Sequence, residues 1–256
     1  MKTRGILFIL LTIINFGYCQ DSEKQKVHSH NDYLKTVPFW DAYSAGASSI
    51  EVDLFLKNNK LYATHDEKDI IENRLFENLY LEPLQKAYDL GLGEMQNLIL
   101  LIDIKSEAYN TLKAVIQVLE EYPTLIKNKK IKFVISGNRP NVSDYINYPD
   151  FIYFDYQSLD ANLTQNQKQR IGLISLNFKK YLKWDGKQEI SQIDYYKLKA
   201  IVAEAHQFKK EFRFWGIPDT KMSWQLFSKM GVDYINTDNA LKCVTFFKTT
   251  NDGDDY

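Results

Sequence analysis

The residues with chemistry to offer sit at strand-like places in the 256-residue chain: His28 and His30 in VHSHN, Glu51 and Asp53 in SSIEVDLFL, His65 in KLYATHD, and Asp103 with Lys105 in NLILLIDIK. Residues two apart on a strand face the same way, so Glu51 and Asp53 present two carboxylates to one side, set among apolar Ile50, Val52 and Leu54. Burying two ionised acids together is costly unless a cation or strong donors compensate, and an oxygen-loving divalent ion does so. Asp103, inside another apolar strand, supplies a third ligand, and water and phosphate oxygens would complete the shell of Mg²⁺. Taken singly, each acid is read more simply as half of a salt bridge, and Lys105 could be the other half. Three acids on adjacent strands shift the reading towards an ion, beside which Lys105 can hold a phosphate as a point charge. Imidazole gives and takes protons near neutral pH, so one histidine would deprotonate an attacking hydroxyl while another protonates a leaving alcohol. The cation and Lys105 would stabilise the charge gathering on the phosphoryl oxygens. His65 alone is a turn histidine; its place beside the Glu51/Asp53 strand makes it a candidate.

These groups need a scaffold that gathers strand ends. Short apolar runs bounded by turn signals give eight strands, at 27–31, 48–56, 97–105, 130–137, 150–157, 170–178, 212–218 and 232–238. Their apolar character fits a parallel sheet buried on both faces. Helical patterns lie between them, clearest at 107–122 and 194–210, with shorter helices at 38–45 and 222–230 that end at Gly46 and Gly231. The polar link LDANLTQNQKQ predicts a weak or short helix. The alternation predicts a single-domain α/β protein, a TIM-type (β/α)8 barrel with its core over about 27–248, and a doubly wound open sheet is the second choice. In such a barrel the C-terminal strand ends meet over one mouth, where every candidate above is placed.

The first residues combine Lys2 and Arg4 with an apolar run from Ile6 to Phe16 and small residues at Gly17 and Cys19, which predicts a signal peptide over 1–19 and a mature domain over 20–256. The run is shorter than the ~20 residues a bilayer span needs, and Tyr18 is bulky for lipoprotein processing, so export to the periplasm or outside, with simple cleavage, is the expectation. Cleavage would move the formal charge from −1 to −3, by loss of Lys2 and Arg4. That balance points to no nucleic-acid partner. Cys243 would then be the one remaining thiol, read as a small buried apolar residue. The Asn-x-Ser/Thr matches at Asn141 and Asn162 matter only in a eukaryotic secretory route, and the acidic stretch at 251–255 reads as a frayed end.

The ordered motifs HSHNDY, AGASSIEVD, THD, IDIK, a late Trp and GVDYINTD resemble the glycerophosphodiester phosphodiesterase branch of the phosphatidylinositol-phospholipase-C-like superfamily, including its sphingomyelinase D type. The resemblance is nearest to the altered inheritance of mitochondria protein 6 branch and runs from about 27 to 240. It implies a TIM barrel, one Mg²⁺ or Ca²⁺ ion, and hydrolysis or cyclisation of a small-molecule or lipid phosphodiester. It carries the catalytic histidines onto His30 and His65, the metal acids onto Glu51, Asp53 and Asp103, and substrate contacts onto Lys105 and Trp215, with Asn31 and His28 on the substrate side. Asp233 and Asp238 match a barrel-closing segment of structural role. Both His28 and His30 face the same side, and spacing favours His30 as the base. His-Arg-Gly and Glu-Asn-Thr signatures of the glycerophosphodiester enzymes are missing, and Gly-Ile-Pro follows Trp215, so the alcohol is not specified. A monomer with peripheral membrane contact completes the expectation.

Two other readings compete. An amidohydrolase-type site would draft His28, His30, His65, His206 and Asp238 around transition metals, yet His206 lies in a helical Ala-His-Gln-Phe context and the three acids would have no task. A non-catalytic exported barrel is the other, since fold alone does not give function.

Overall fold

The computed structural model describes residues 24–95 and 97–251, so the expected signal peptide and the acidic end beyond Asn251 lie outside the described residues. The strands are β1 (Lys26–Ser29), β2 (Ser49–Lys57), β3 (Lys60–Ala63), β4 (Leu98–Ile104), β5 (Ile131–Gly137), β6 (Ile152–Tyr156), β7 (Ile171–Asn177), β8 (Phe212–Trp215) and β9 (Tyr234–Thr237). The helices between them are α1 (Trp40–Ala45), α2 (Glu82–Asp89), α3 (Ala108–Glu120), α4 (Pro123–Lys127), α5 (Gln165–Gln169), α6 (Gln192–His206), α7 (Lys221–Met230) and α8 (Ala240–Asn251). All strands but β3 run parallel, and pairing of β1 with both β9 and β2 closes them into an eight-stranded barrel. Closure excludes the open doubly wound sheet.

β3 departs from the expected alternation. It folds back antiparallel on β2 through Asn58 and Asn59, both at positive φ (50° and 60°), as a two-residue primed turn requires. The hairpin delivers His65 from a strand added outside the ring. The short α5 agrees with the polar link, and Thr164 and Gln167 close it with a capping box.

Alternation along the strands creates two cores. Ile50, Val52, Leu100, Ile102, Phe133, Ile135, Phe212 and Phe214 face outwards and pack under the helices in the large cluster. The inward cluster is much smaller: Ile99, Leu101, Val134, Leu173 and Tyr234, with Tyr153 against it. Above it the interior is polar, holding His28, Glu51, Asp53, Ser136, Asp155, Ser175, Arg213 and Asn236, all buried. A buried polar interior is costly unless its members satisfy one another, and their concentration at one end marks the site.

Candidate active site

The mouth at the C-terminal strand ends opens into a cavity of about 740 Å³ whose lining includes His30, Tyr33, Glu51, His65, Asp103, Lys105, Arg213 and Trp215. The β2–β4 register sets Asp53 directly against Asp103, with Glu51 one inward step below Asp53. Glu51, Asp53 and Asp103 each bring one oxygen to within 4.8 Å of the others, the one such grouping among the described residues. Asp53 Oδ1 is buried without any hydrogen-bond partner, and buried Asp103 Oδ1 has only the Lys105 ammonium, 3.2 Å away. Acceptors left in that state are costly, and a hard cation bound by oxygen satisfies them, so these residues fit Mg²⁺ or Ca²⁺.

The electrostatics agree. Burial, followed by the charges of Glu51 and Asp53, pushes the Asp103 pKa up to about 6. Burial also raises Asp53, against the opposing charge of Lys105. Glu51 behaves in the opposite way: burial would raise it, but the His28 hydrogen bond and the Arg213 charge hold it well below the usual carboxylate range. Lys105 Nζ lies 3.3 Å from Asp53 Oδ2 and 3.2 Å from Asp103 Oδ1, and those acids keep it protonated despite burial. Gly137, at φ +67°, ends β5 against this pair: a Cβ there would collide with the Asp103 carboxylate and the Ile104 carbonyl.

Two histidines flank the acids, each held at Nδ1. His65 Nδ1 is 2.8 Å from Asp53 Oδ2, and His30 Nδ1 is 2.7 Å from Asp238 Oδ1. Each therefore keeps its other ring nitrogen, Nε2, for the cavity; that of His30 is 3.8 Å from Glu51 Oε1. Burial would lower the His30 pKa, but the Asp238 hydrogen bond and the Glu51 charge raise it overall. Asp238 is itself positioned by Asp219, whose carboxylate accepts the Asp238 backbone N–H at 2.9 Å and the Thr237 hydroxyl at 2.7 Å. The match to a structural segment therefore understates Asp238, which reaches the site. Asp233 is structural, accepting the Phe212 backbone N–H and His206 at 2.7 Å each.

His28 requires correction. It is fully buried beneath the cavity floor, with Ser49 Oγ 2.7 Å from Nδ1 and Glu51 Oε2 2.9 Å from Nε2. Burial and the Arg213 charge press its pKa down to about 3, so it stays neutral. It braces a carboxylate and has no nitrogen to spare for substrate. Asn31 adopts φ 49° just past β1 and its amide nitrogen lies 3.0 Å from His30 Nδ1, lining the mouth. Trp215 forms the wall between this cavity and a neighbouring one of about 510 Å³, its Nε1 unpartnered. His206 sits at the far end of α6 on Asp233, so the transition-metal histidine set is not brought together.

Three participants escaped the sequence reading. Arg213 on β8 crosses the interior to Glu51 Oε2 (3.0 Å) and Asn236 Oδ1 (3.1 Å), and also contacts His28 Nε2. Asp155 accepts Ser136 and Ser175 hydroxyls at 2.9 and 2.5 Å and faces Arg213 at 3.9 Å. Tyr33 lines the cavity, where burial and then the nearby Asp53 charge push its hydroxyl pKa up and keep it protonated. Arg213 had a legible signal, being two residues before Trp215 and flanked by Phe212 and Phe214, hence inward on the same strand face.

The AIM6-like phosphodiesterase domain matches residues 18–91, which contain both candidate catalytic histidines, Glu51 and Asp53. The glycerophosphoryl diester phosphodiesterase family matches residues 211–240, which contain Arg213, Trp215 and Asp238. Among curated proteins, the altered inheritance of mitochondria protein 6 homolog of Arthroderma benhamiae is 25% identical over 265 residues, covering 86% of this chain and 83% of that protein. Altered inheritance of mitochondria protein 6 of Eremothecium gossypii is 27% identical over 267 residues, covering 84% and 67%. The barrel is shared with a glycerophosphodiester phosphodiesterase from Parabacteroides distasonis (TM-score 0.56, 16% identity, 89% of this chain and 99% of that one). A second such fold, a putative glycerophosphoryl diester phosphodiesterase from Agrobacterium tumefaciens, has TM-score 0.54 at 12% identity, with 89% and 99% covered. Phosphodiesterase-family segments thus match towards both ends of the chain, curated relatives align over most of its length, and the barrel is similar to those of glycerophosphodiester phosphodiesterases.

Proposed function

We propose that the protein is a metal-dependent phosphoric diester hydrolase using His30 and His65 for acid–base catalysis. One observation carries the reading: two histidines, each fixed through Nδ1 by a carboxylate, flank three acids gathered within 4.8 Å of one another, of which Asp53 keeps a buried oxygen with no hydrogen-bond partner. Glu51, Asp53 and Asp103 would hold one divalent cation, which supplies Lewis-acid stabilisation of phosphoryl charge when bound. Lys105 adds a fixed positive charge beside it. Asp238 and Asp53 hold the two rings so that each presents Nε2 to the cavity; one imidazole takes the proton of the attacking hydroxyl and the other gives one to the leaving oxygen. Trp215 walls the space for the alcohol. The substrate class is a glycerophosphodiester or phospholipid-type diester, acted on after export and with peripheral contact to lipid. Turnover of bis-(p-nitrophenyl) phosphate with Mg²⁺ or Ca²⁺ tests it: His30→Ala and His65→Ala should each lose about a hundredfold or more, the contribution typical of a general acid or base. Equal turnover in wild type and both variants would refute an active site here and leave a non-catalytic barrel.

A further inference from the structure

The barrel has a second mouth, at the N-terminal ends of its strands. There a cavity of about 560 Å³ is lined by Lys24, Lys26, Lys129, Lys130 and Lys132, with Glu211 the one acidic side chain among the described residues that line it. Lys132 enters β5 in the alternation that turns Val134 and Ser136 inwards, and Lys26 stands in the same relation to His28 on β1, so two of the ammonium groups belong to the barrel interior. The apolar layer of Ile99, Leu101, Val134, Leu173 and Tyr234 lies between this cavity and the catalytic interior, making the two mouths separate sites.

Glu211 is already engaged, with Lys26 Nζ at 2.8 Å and the Tyr234 hydroxyl at 3.1 Å. Among the described residues no ion pair involves Lys24, Lys129, Lys130 or Lys132, and Lys132 lies over the Tyr153 ring at 5.9 Å. Lys210, just before β8, is lowered in pKa by burial and then by the charge of Lys132. Positive charge is thus concentrated at one concave end of a chain whose formal charge is −1. Ammonium groups held together repel, and an anion that enters among them removes that cost.

We propose that this lower mouth is a binding site for a compact, multiply phosphorylated anion. Lysines act as point charges on flexible stems and suit several phosphate groups at once. The concave shape, within the size range of small-molecule pockets, favours such an anion over a flat lipid surface.

The probe is cyclic trimetaphosphate, which carries three negative charges and chelates divalent ions weakly, titrated calorimetrically into the intact chain. One equivalent should bind, and Lys132→Met and the rim pair Lys129→Gln/Lys130→Gln should each weaken binding about tenfold or more, the loss expected for a charge-assisted contact. The rim pair is exposed, so it tests the site even where Lys132→Met fails to fold. Turnover of bis-(p-nitrophenyl) phosphate should be unchanged in the rim variant. As a second readout, trimetaphosphate should protect Lys132 and Lys210 from acylation. Equal affinity in wild type and both lower-mouth variants would overturn the proposal, as would loss of binding confined to Lys105→Met. Retention on anionic phosphatidylserine vesicles with no trimetaphosphate binding would overturn it too, in favour of a membrane face.

Discussion

A cation site has an unusual mutational signature: removing one of its acids should stabilise the empty protein while abolishing its response to metal. Asp103→Asn is the cleanest perturbation, because Asn keeps the shape and a carbonyl oxygen near Lys105 and removes the charge that Glu51 and Asp53 oppose. The Asp103 pKa is raised from 3.8 to about 6 when the chain folds without a cation. A carboxylate raised on folding is a penalty above its folded pKa, and that penalty fades as pH falls through it. Two pKa units correspond to about 3 kcal/mol at pH 8, and the lost contact to Lys105 reduces the expected gain to about 1–2 kcal/mol. In EDTA at pH 8, Asp103→Asn should therefore melt higher than wild type, by several degrees for a domain of this size. The difference should shrink by about half at pH 5, where Asp103 is largely protonated in the folded state. The difference between the two proteins is the proper quantity, because His28, neutral when folded, opposes acidification equally in both. Adding Mg²⁺ or Ca²⁺ should raise the melting temperature of wild type and leave the variant unmoved. A variant that melts lower in EDTA, yet keeps the metal-induced shift, would refute the reasoning and return Asp103 to the role of a salt-bridge partner for Lys105.

Gly137→Ala should cost cation binding as well as stability, because its Cβ strikes the Asp103 carboxylate from a backbone at φ +67°; loss of the metal-induced melting shift checks this, with about 1–3 kcal/mol of destabilisation. Asp238→Asn should lower turnover and move the acidic limb of the pH–rate profile down, since the hydrogen bond and charge that raise His30 are removed. An unmoved limb would mean that His30 is not the group titrating in that limb. Arg213→Met should destabilise by about 3–5 kcal/mol in denaturant titrations, because Glu51 and Asp155 would lose the cation that crosses the barrel to them.

The scaffold was largely legible because periodicity and burial are local. The run NLILLIDIK predicts a two-face-buried strand wherever it is placed, and the structure forms β4 from Leu98 to Ile104. Boundaries shifted where loop chemistry intervened: the first strand, expected to reach Asn31, ends at Ser29, and Asn31 turns into the left-handed region. KLYATHD was too short to assign, and its antiparallel return on β2 depends on the Asn58–Asn59 turn and a free sheet partner. α2 was missed because a π-helical turn from Glu77 to Leu81 leads into it, and its pattern breaks the regular period.

For the site, the sequence alone determined which side chains share a strand face: Glu51 with Asp53, and Arg213 with Trp215. Tertiary structure decided which of those faces meet, and with what partner. His28 and His30 are equivalent by alternation, yet one lies under the floor between Ser49 and Glu51 while the other stands at the rim on Asp238, 208 residues away. Strand spacing is fixed by backbone geometry, so a face can be read from neighbours in sequence. Burial depth, proton affinity and hydrogen-bond partner depend on barrel closure and register, which bring together residues no local pattern relates.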